Sequence, residues 1–246
     1  MLWDEAPLEH PRVVEPGLPG LLAALVAAVI GVALGLAIAL ALRAGGYPGG
    51  RALALAASEL GLWAGLVGAC WYASRRRGSG SLARDMGWSF RPIDLGFGLA
   101  GSLAARVAAA AVIAPVPMPF RHVREPDRSL FGQVAHGAWG WTVVVLVVCV
   151  GAPLVEELFF RGLLQPRLVG LLGVVPGIVA ASCLFGAAHL IAWQGPITLA
   201  YALGVAGGGL VLGTLRYLTG RLGPSTVAHA LFNAEALLAV AFLAGR

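Results

Sequence analysis

Gly151-Ala152-Pro153-Leu154-Val155-Glu156-Glu157-Leu158-Phe159-Phe160-Arg161-Gly162-Leu163-Leu164 sets two adjacent carboxylates and an arginine inside a run that is otherwise apolar. A charge at membrane depth costs about 2.5–3.5 kcal/mol on insertion scales, so an ionisable residue within a span marks a functional site whose partner has to be found. Helical spacing supplies one partner. Glu157 and Arg161 are four residues apart, acid before base, the favourable order for a pair on one helix face. Glu156 points about 100° round the helix from Glu157 and is left as the carboxylate free for chemistry.

The rest of the chain suits that setting. Of its 246 residues, 59% are hydrophobic and 12% charged, half the roughly 25% charge of an average soluble domain. The apolar runs predict an all-α fold, a polytopic transmembrane helical bundle of about seven to eight helices. Leu21 to Leu42 is uncharged and 22 residues long, enough to cross a hydrocarbon core of about 30 Å. It exceeds the roughly 7–15 residues of a signal-peptide core and follows an acidic leader, so it is expected to be retained. Further spans are expected at Ala52–Ala73, at about Asp94–Ala114, from near Ala138 through the opening stretch, twice between Arg167 and Arg216 with a break at Trp193-Gln194-Gly195-Pro196, and at Ser225–Leu243. Residues 1–20 read as a flexible leader and 21–115 as N-terminal transmembrane helices. Val116 to Gly137 reads as a polar excursion outside the bilayer, and 138–244 as the segment that carries the chemistry.

All seventeen basic residues are arginines, against twelve acids. Their placement in loops orients a membrane protein, and no interleaving of basic and aromatic residues points to nucleic acid as a partner. Nine loop arginines, Arg75, Arg76 and Arg77 foremost, fall on one side and five on the other, which predicts a cytoplasmic amino terminus in a plasma membrane. Glu59 and Arg106 lie at similar depth on consecutive spans and are expected to pair. Glu235 falls on a different helix face from His229 and is kept outside the site, with Arg106 or Arg216 as its partner. Cys70, Cys149 and Cys183 have no metal or redox spacing and read as packing residues. Gly31 with Gly35, Gly61 with Gly65, Gly204 with Gly208 and Gly209 with Gly213 have the small-xxx-small spacing that lets helices approach closely.

Two further polar intrusions follow in the apolar second half: Phe185-xxx-His189, and His229-xxx-Asn233 with both polar groups on one helix face. Buried polar groups need hydrogen-bond partners in hydrocarbon, and the cheapest are one another. A hairpin turning near Leu172 would bring Glu156 and His189 to one level. His229, only five residues past Pro224, fits that level only if the hairpin projects from the bilayer or the break comes later than Pro196. A carboxylate with an imidazole can take a proton from water, and a second imidazole with a carboxamide can hydrogen-bond the oxyanion of a peptide carbonyl under attack. No serine or cysteine nucleophile stands beside them, which favours direct attack by water with no cofactor required. Glu156, His189 and His229 can alternatively be a zinc set. A non-catalytic scaffold or immunity protein is the reading from another class, and a small transporter a third.

Glu156-Glu157-xxx-Arg161, Phe185-xxx-His189 and His229-xxx-Asn233, in this order within membrane spans, resemble the CAAX prenyl protease and bacteriocin-processing family, also called the Abi family. Thr219-Gly220-Arg221-Leu222 is similar to that family's pattern as well. The likeness covers about residues 138–240. It implies a helical intramembrane endopeptidase, glutamate-type or metalloendopeptidase, with a site open to the cytoplasmic side. It also implies catalytic roles for Glu156 and His189 in activating water, for His229 and Asn233 at the oxyanion, and support of the site by Glu157 and Arg161. The implied substrate is a membrane-associated protein or peptide, in CAAX-type processing, peptide processing or bacteriocin immunity.

Overall fold

The computed structural model describes residues 50–117, 137–192 and 196–244, with Val134 and scattered positions between 26 and 45. The expected leader, most of the polar excursion, the Trp193-Gln194-Gly195 break and much of the first span lie outside the described residues. Every regular element among the described residues is helical, as the apolar runs require. α1 is Gly50–Arg77, α2 Leu82–Met86 and α3 Asp94–Ile113. α4 runs without interruption over Gly137–Leu172. α5 is Val174–Ala188, continued by a 3₁₀ turn at His189–Ala192. α6 is Pro196–Thr219 and α7 is Gly223–Ala244.

α1, α3, α4 and α6 are long and apolar enough to cross a membrane, and α5 is a shorter apolar helix. The protein is an integral membrane protein of the all-α class. α4, with 36 residues, would extend about 54 Å where the hydrocarbon core is about 30 Å. Its packing on α1 shows which end projects. The Trp63 ring sits against Gly151, and Cys70 Sγ meets the Leu158 carbonyl at 3.7 Å. The two helices therefore run in parallel, and the arginines ending α1 lie level with about Gln165. The last turns of α4 pass beyond that arginine belt before the chain reverses at Gly173, whose φ of +86° is open only to glycine without strain. A projecting hairpin is the arrangement that reconciles the depth of His229 with a helix α6 that begins at Pro196.

The segment between α1 and α3 folds back under the bundle. Met86 and Leu222, both fully buried, pack over Gly162, and Leu222 N–H donates to the Gly87 carbonyl at 2.8 Å. Arg221 then clamps Asp94 through both carboxylate oxygens, at 2.6 Å from Nη2 and 3.0 Å from Nε to Oδ1. These ties set where α7 begins, and so the depth of His229.

The expected close backbone approach is present for Gly31, Gly35 and Gly61, whereas a Cβ on Gly208 would meet only ordinary contacts at 3.7 Å. A Cβ on Gly31 would fall 2.3 Å from the Gly61 carbonyl oxygen, and one on Gly213 would fall 2.6 Å from the Gln165 side chain. The expected Glu59–Arg106 pair is not. Arg106 Nε instead meets Glu235 at 3.1 Å, with Ser102 also donating to Glu235 and the guanidinium reaching the Phe232 carbonyl. The cause is neighbourhood. α3 packs against α6 and α7, with Gly98 against Val227 and Gly207 against the Ala108 carbonyl, so the acid within reach of Arg106 is on α7.

Candidate active site

α4 is not a plain α-helix where it carries the motif. Leu146–Gly151 and Leu158–Leu164 are wide π turns on either side of Ala152–Glu157. The first has a local cause. Pro153 lacks an N–H and its ring crowds the carbonyl four residues earlier, so a helix that continues through it must open. Such bulges concentrate at functional sites. Here they turn Glu156 and Glu157 toward α7.

Glu157 is fully buried and Arg161 is 1% exposed; Arg161 Nη1 lies 3.1 Å from Glu157 Oε1. The guanidinium also donates to the Gly209 carbonyl at 3.2 Å and lies 4.2 Å from the Phe185 ring centre. Gly209 is the residue that permits this approach, since a Cβ there would stand 3.1 Å from Arg161. His229 adds a second contact to the same carboxylate oxygen, its Nδ1 lying 3.2 Å from Glu157 Oε1. That contact turns Nε2 toward Glu156, 3.8 Å from Oε2, a separation beyond a direct hydrogen bond.

Phe185 joins the three motifs. Its ring packs edge-on against Phe160 at 5.0 Å, His189 at 5.0 Å and His229 at 5.5 Å. The contact of Phe160 with Phe185, together with that of Gly177 on Val169, gives the α4–α5 register and brings His189 level with Glu156. His189 Nδ1 is held 2.8 Å from the Phe185 carbonyl, leaving its Nε2 available. Asn233 lies one turn beyond His229, and its Nδ2 donates to the Val148 carbonyl at 2.8 Å. The motif residues therefore come together in one region, with Glu156, Glu157, Arg161 and His229 in direct contact range, His189 joined through Phe185, and Asn233 turned toward the first π turn. For the zinc alternative, the free Nε2 atoms are suitable donors, yet among the described residues no three His, Cys, Asp or Glu side chains converge as a metal-holding group.

Sequence reasoning passed over two residues. Tyr201 on α6 packs edge-on against His189 at 5.8 Å, and nothing in its spacing distinguishes it from an interfacial tyrosine. Arg216, 5% exposed, reaches the Met86 carbonyl at 3.4 Å, and its place after a long apolar run read as a loop arginine. The cysteines are all free, with Cys70 buried and Cys183 exposed.

Among comparisons with known proteins, residues 138–234 match the family described as Rce1-like, type II CAAX prenyl endopeptidase Rce1-like. Neither a curated protein nor a solved structure matches the chain. The matched segment begins at the second residue of α4 and ends one residue after Asn233, so it encloses all three motifs and the contacts between them. The likeness, over residues 138–234 of the 246, is to a family of endopeptidases, and it points to a protease.

Proposed function

We propose that the protein is an intramembrane endopeptidase in which Glu156, with His189, takes a proton from a water molecule that attacks a peptide carbonyl. His229 hydrogen-bonds the oxyanion. The observation that carries this reading is the seat of His229, with Nδ1 on Glu157 at 3.2 Å and Nε2 turned to Glu156 at 3.8 Å. A buried ion pair fixes the imidazole through one nitrogen, as an orienting carboxylate does in other histidine sites, and the other nitrogen borders the spare carboxylate. Nδ1 faces the Glu157 carboxylate, and Nε2 is the ring atom left to meet the oxyanion.

The water's oxygen bonds to the carbonyl carbon as its proton passes to Glu156. Collapse of the tetrahedral intermediate breaks the C–N bond, and Glu156 returns the proton to the departing amine. His189, whose Nδ1 faces the Phe185 carbonyl, offers Nε2 to hold the water. The family likeness also gives Asn233 a share in the oxyanion hydrogen bonds. The mechanism needs no metal step. We place the site toward the cytoplasmic side of a bacterial plasma membrane, with the amino terminus cytoplasmic, on the arginine distribution. The substrate is a membrane-associated protein or peptide, prenylated or plain, in CAAX-type processing, peptide processing or bacteriocin immunity.

The test is cleavage of a quenched peptide library, prenylated and plain, by purified wild type and Glu156→Gln, each with and without a zinc chelator. Glu156→Gln keeps shape and hydrogen bonding but loses the base, so cleavage should fall by about 10²–10⁴-fold with the unfolding midpoint unchanged. Wild-type activity that survives the chelator supports water activated by glutamate alone, and activity abolished by it transfers the role to zinc. A Glu156→Gln variant that cuts like wild type would return the chain to the scaffold reading.

A further inference from the structure

Asn233 has a structural task that its motif does not reveal. In the first π turn, Ala152 N–H bonds to the Val147 carbonyl, five residues back. In an α-helix that N–H would have gone to Val148. The next residue able to serve Val148 in the π pattern is Pro153, which has no N–H. The Val148 carbonyl is thus left without a backbone donor by two successive features of the chain, the shifted register and the proline. The atom that reaches it is Asn233 Nδ2, at 2.8 Å, from a helix 85 residues away in sequence. Partly buried carbonyls inside an apolar bundle have no cheap alternative partner.

We infer that Asn233 is a positioning residue: its carboxamide replaces the missing backbone N–H at Val148, holds the opened turn of α4 in register, and so aims Glu156. The packing around the turn agrees. Trp63 closes over Gly151, and Val148 and Cys149 pack against the cluster of Val143, Val144, Val147 and Leu237, so the turn is clasped by α1 on one side and by α7 on the other. Asn233 is then needed whether or not it touches an oxyanion. Its place four residues after His229 lets one helix face orient both the imidazole and the segment bearing the base.

The inference yields a repair experiment. Asn233→Ala strands the Val148 carbonyl, whereas Pro153→Ala supplies an N–H at the position the π pattern requires. Hydrogen–deuterium exchange over residues 146–153 should accelerate about tenfold or more in Asn233→Ala, the equivalent of one buried carbonyl losing its partner. In Asn233→Ala with Pro153→Ala it should return to within about twofold of wild type. This readout is independent of any proteolysis. The companion readout, kcat on a cleaved peptide, rests on the endopeptidase reading; it should fall in the single variant and recover only in part in the double one, which still lacks the oxyanion hydrogen bond of Asn233. Exchange that does not change in Asn233→Ala, or that stays fast in the double variant, overturns the inference. Exchange that recovers while kcat gains nothing over the single variant also overturns it, because the restored turn would then not be aiming Glu156.

Discussion

Two ion pairs lie within the helical bundle and live in different surroundings. Glu157 and Arg161 are 0% and 1% exposed, four residues apart on one helix, and their other faces meet His229, the Gly209 carbonyl and the Phe185 ring. Arg106 and Glu235 join two helices and are 40% and 35% exposed. The first pair is a fixture on which a third side chain is oriented; the second ties α3 to α7 and leaves more than a third of its surface open. Burial makes the difference. Removing one member of a sealed pair strands the other charge, whereas an open pair can exchange its partner for water or headgroups.

The largest effect should follow from breaking the sealed pair. Arg161→Leu leaves Glu157 without its cation in a site closed to solvent, a loss of about 3–5 kcal/mol, visible as poor yield or a collapsed unfolding midpoint in detergent. The paired change Glu157→Leu with Arg161→Leu should recover much of that stability. It should not recover activity, because His229 loses the carboxylate that orients it. If Arg161→Leu alone were as stable as wild type, the cluster would not be the fixture its burial indicates.

Glu235→Gln should do far less. The amide can still accept from Ser102 and Arg106, and a pair this exposed contributes about 0–1 kcal/mol. The unfolding midpoint should move by about 4 °C at most, what that energy produces in a chain of this size. A loss as large as that of Arg161→Leu would mean that the α3–α7 tie is covered in the membrane and belongs with the sealed class.

The contrast also separates what the chain's pattern reveals from what it hides. The Glu157–Arg161 pair could be read because four-residue spacing is local geometry. The spans were readable because length and apolarity suffice to mark them, and α1, α3, α4 and α6 lie where the runs begin and end. The level shared by Glu156 and His189 followed from the length of one hairpin. The partner of Arg106 was not readable. Depth counted along the chain gave Glu59, which assumes that consecutive spans are neighbours, while α3 in fact sits among α6 and α7. The Val148–Asn233 bond was hidden for a related reason: the proline is visible in the sequence, but which carbonyl it strands depends on the register the helix adopts around it. Phe185 as the common neighbour of both histidines likewise depends on three helices at once.

A third carboxylate completes the series on the water side of the belt. Asp85 accepts from Ser74 Oγ at 2.5 Å, Ser79 N at 3.0 Å and Ser79 Oγ at 2.7 Å, bracing the turn that leads from α1 into α2. Gly78 permits the approach, since a Cβ there would lie 2.3 Å from the carboxylate. Partial burial alone would raise the carboxyl's pKa, but the serine hydrogen bonds and nearby Arg84 outweigh it and hold the group below its ordinary value. A carboxyl depressed on folding contributes stability above its unfolded pKa, about 3.9, and that contribution is lost as pH falls through the folded value. Asp85→Ala should therefore lower stability slightly at pH 7, by less than about 1 kcal/mol for a group so open to solvent. The difference from wild type should vanish in strong acid, where the wild-type carboxyl is protonated too. A gap that stayed constant down to low pH would show that the turn depends on the shape of the aspartate and not on its charge.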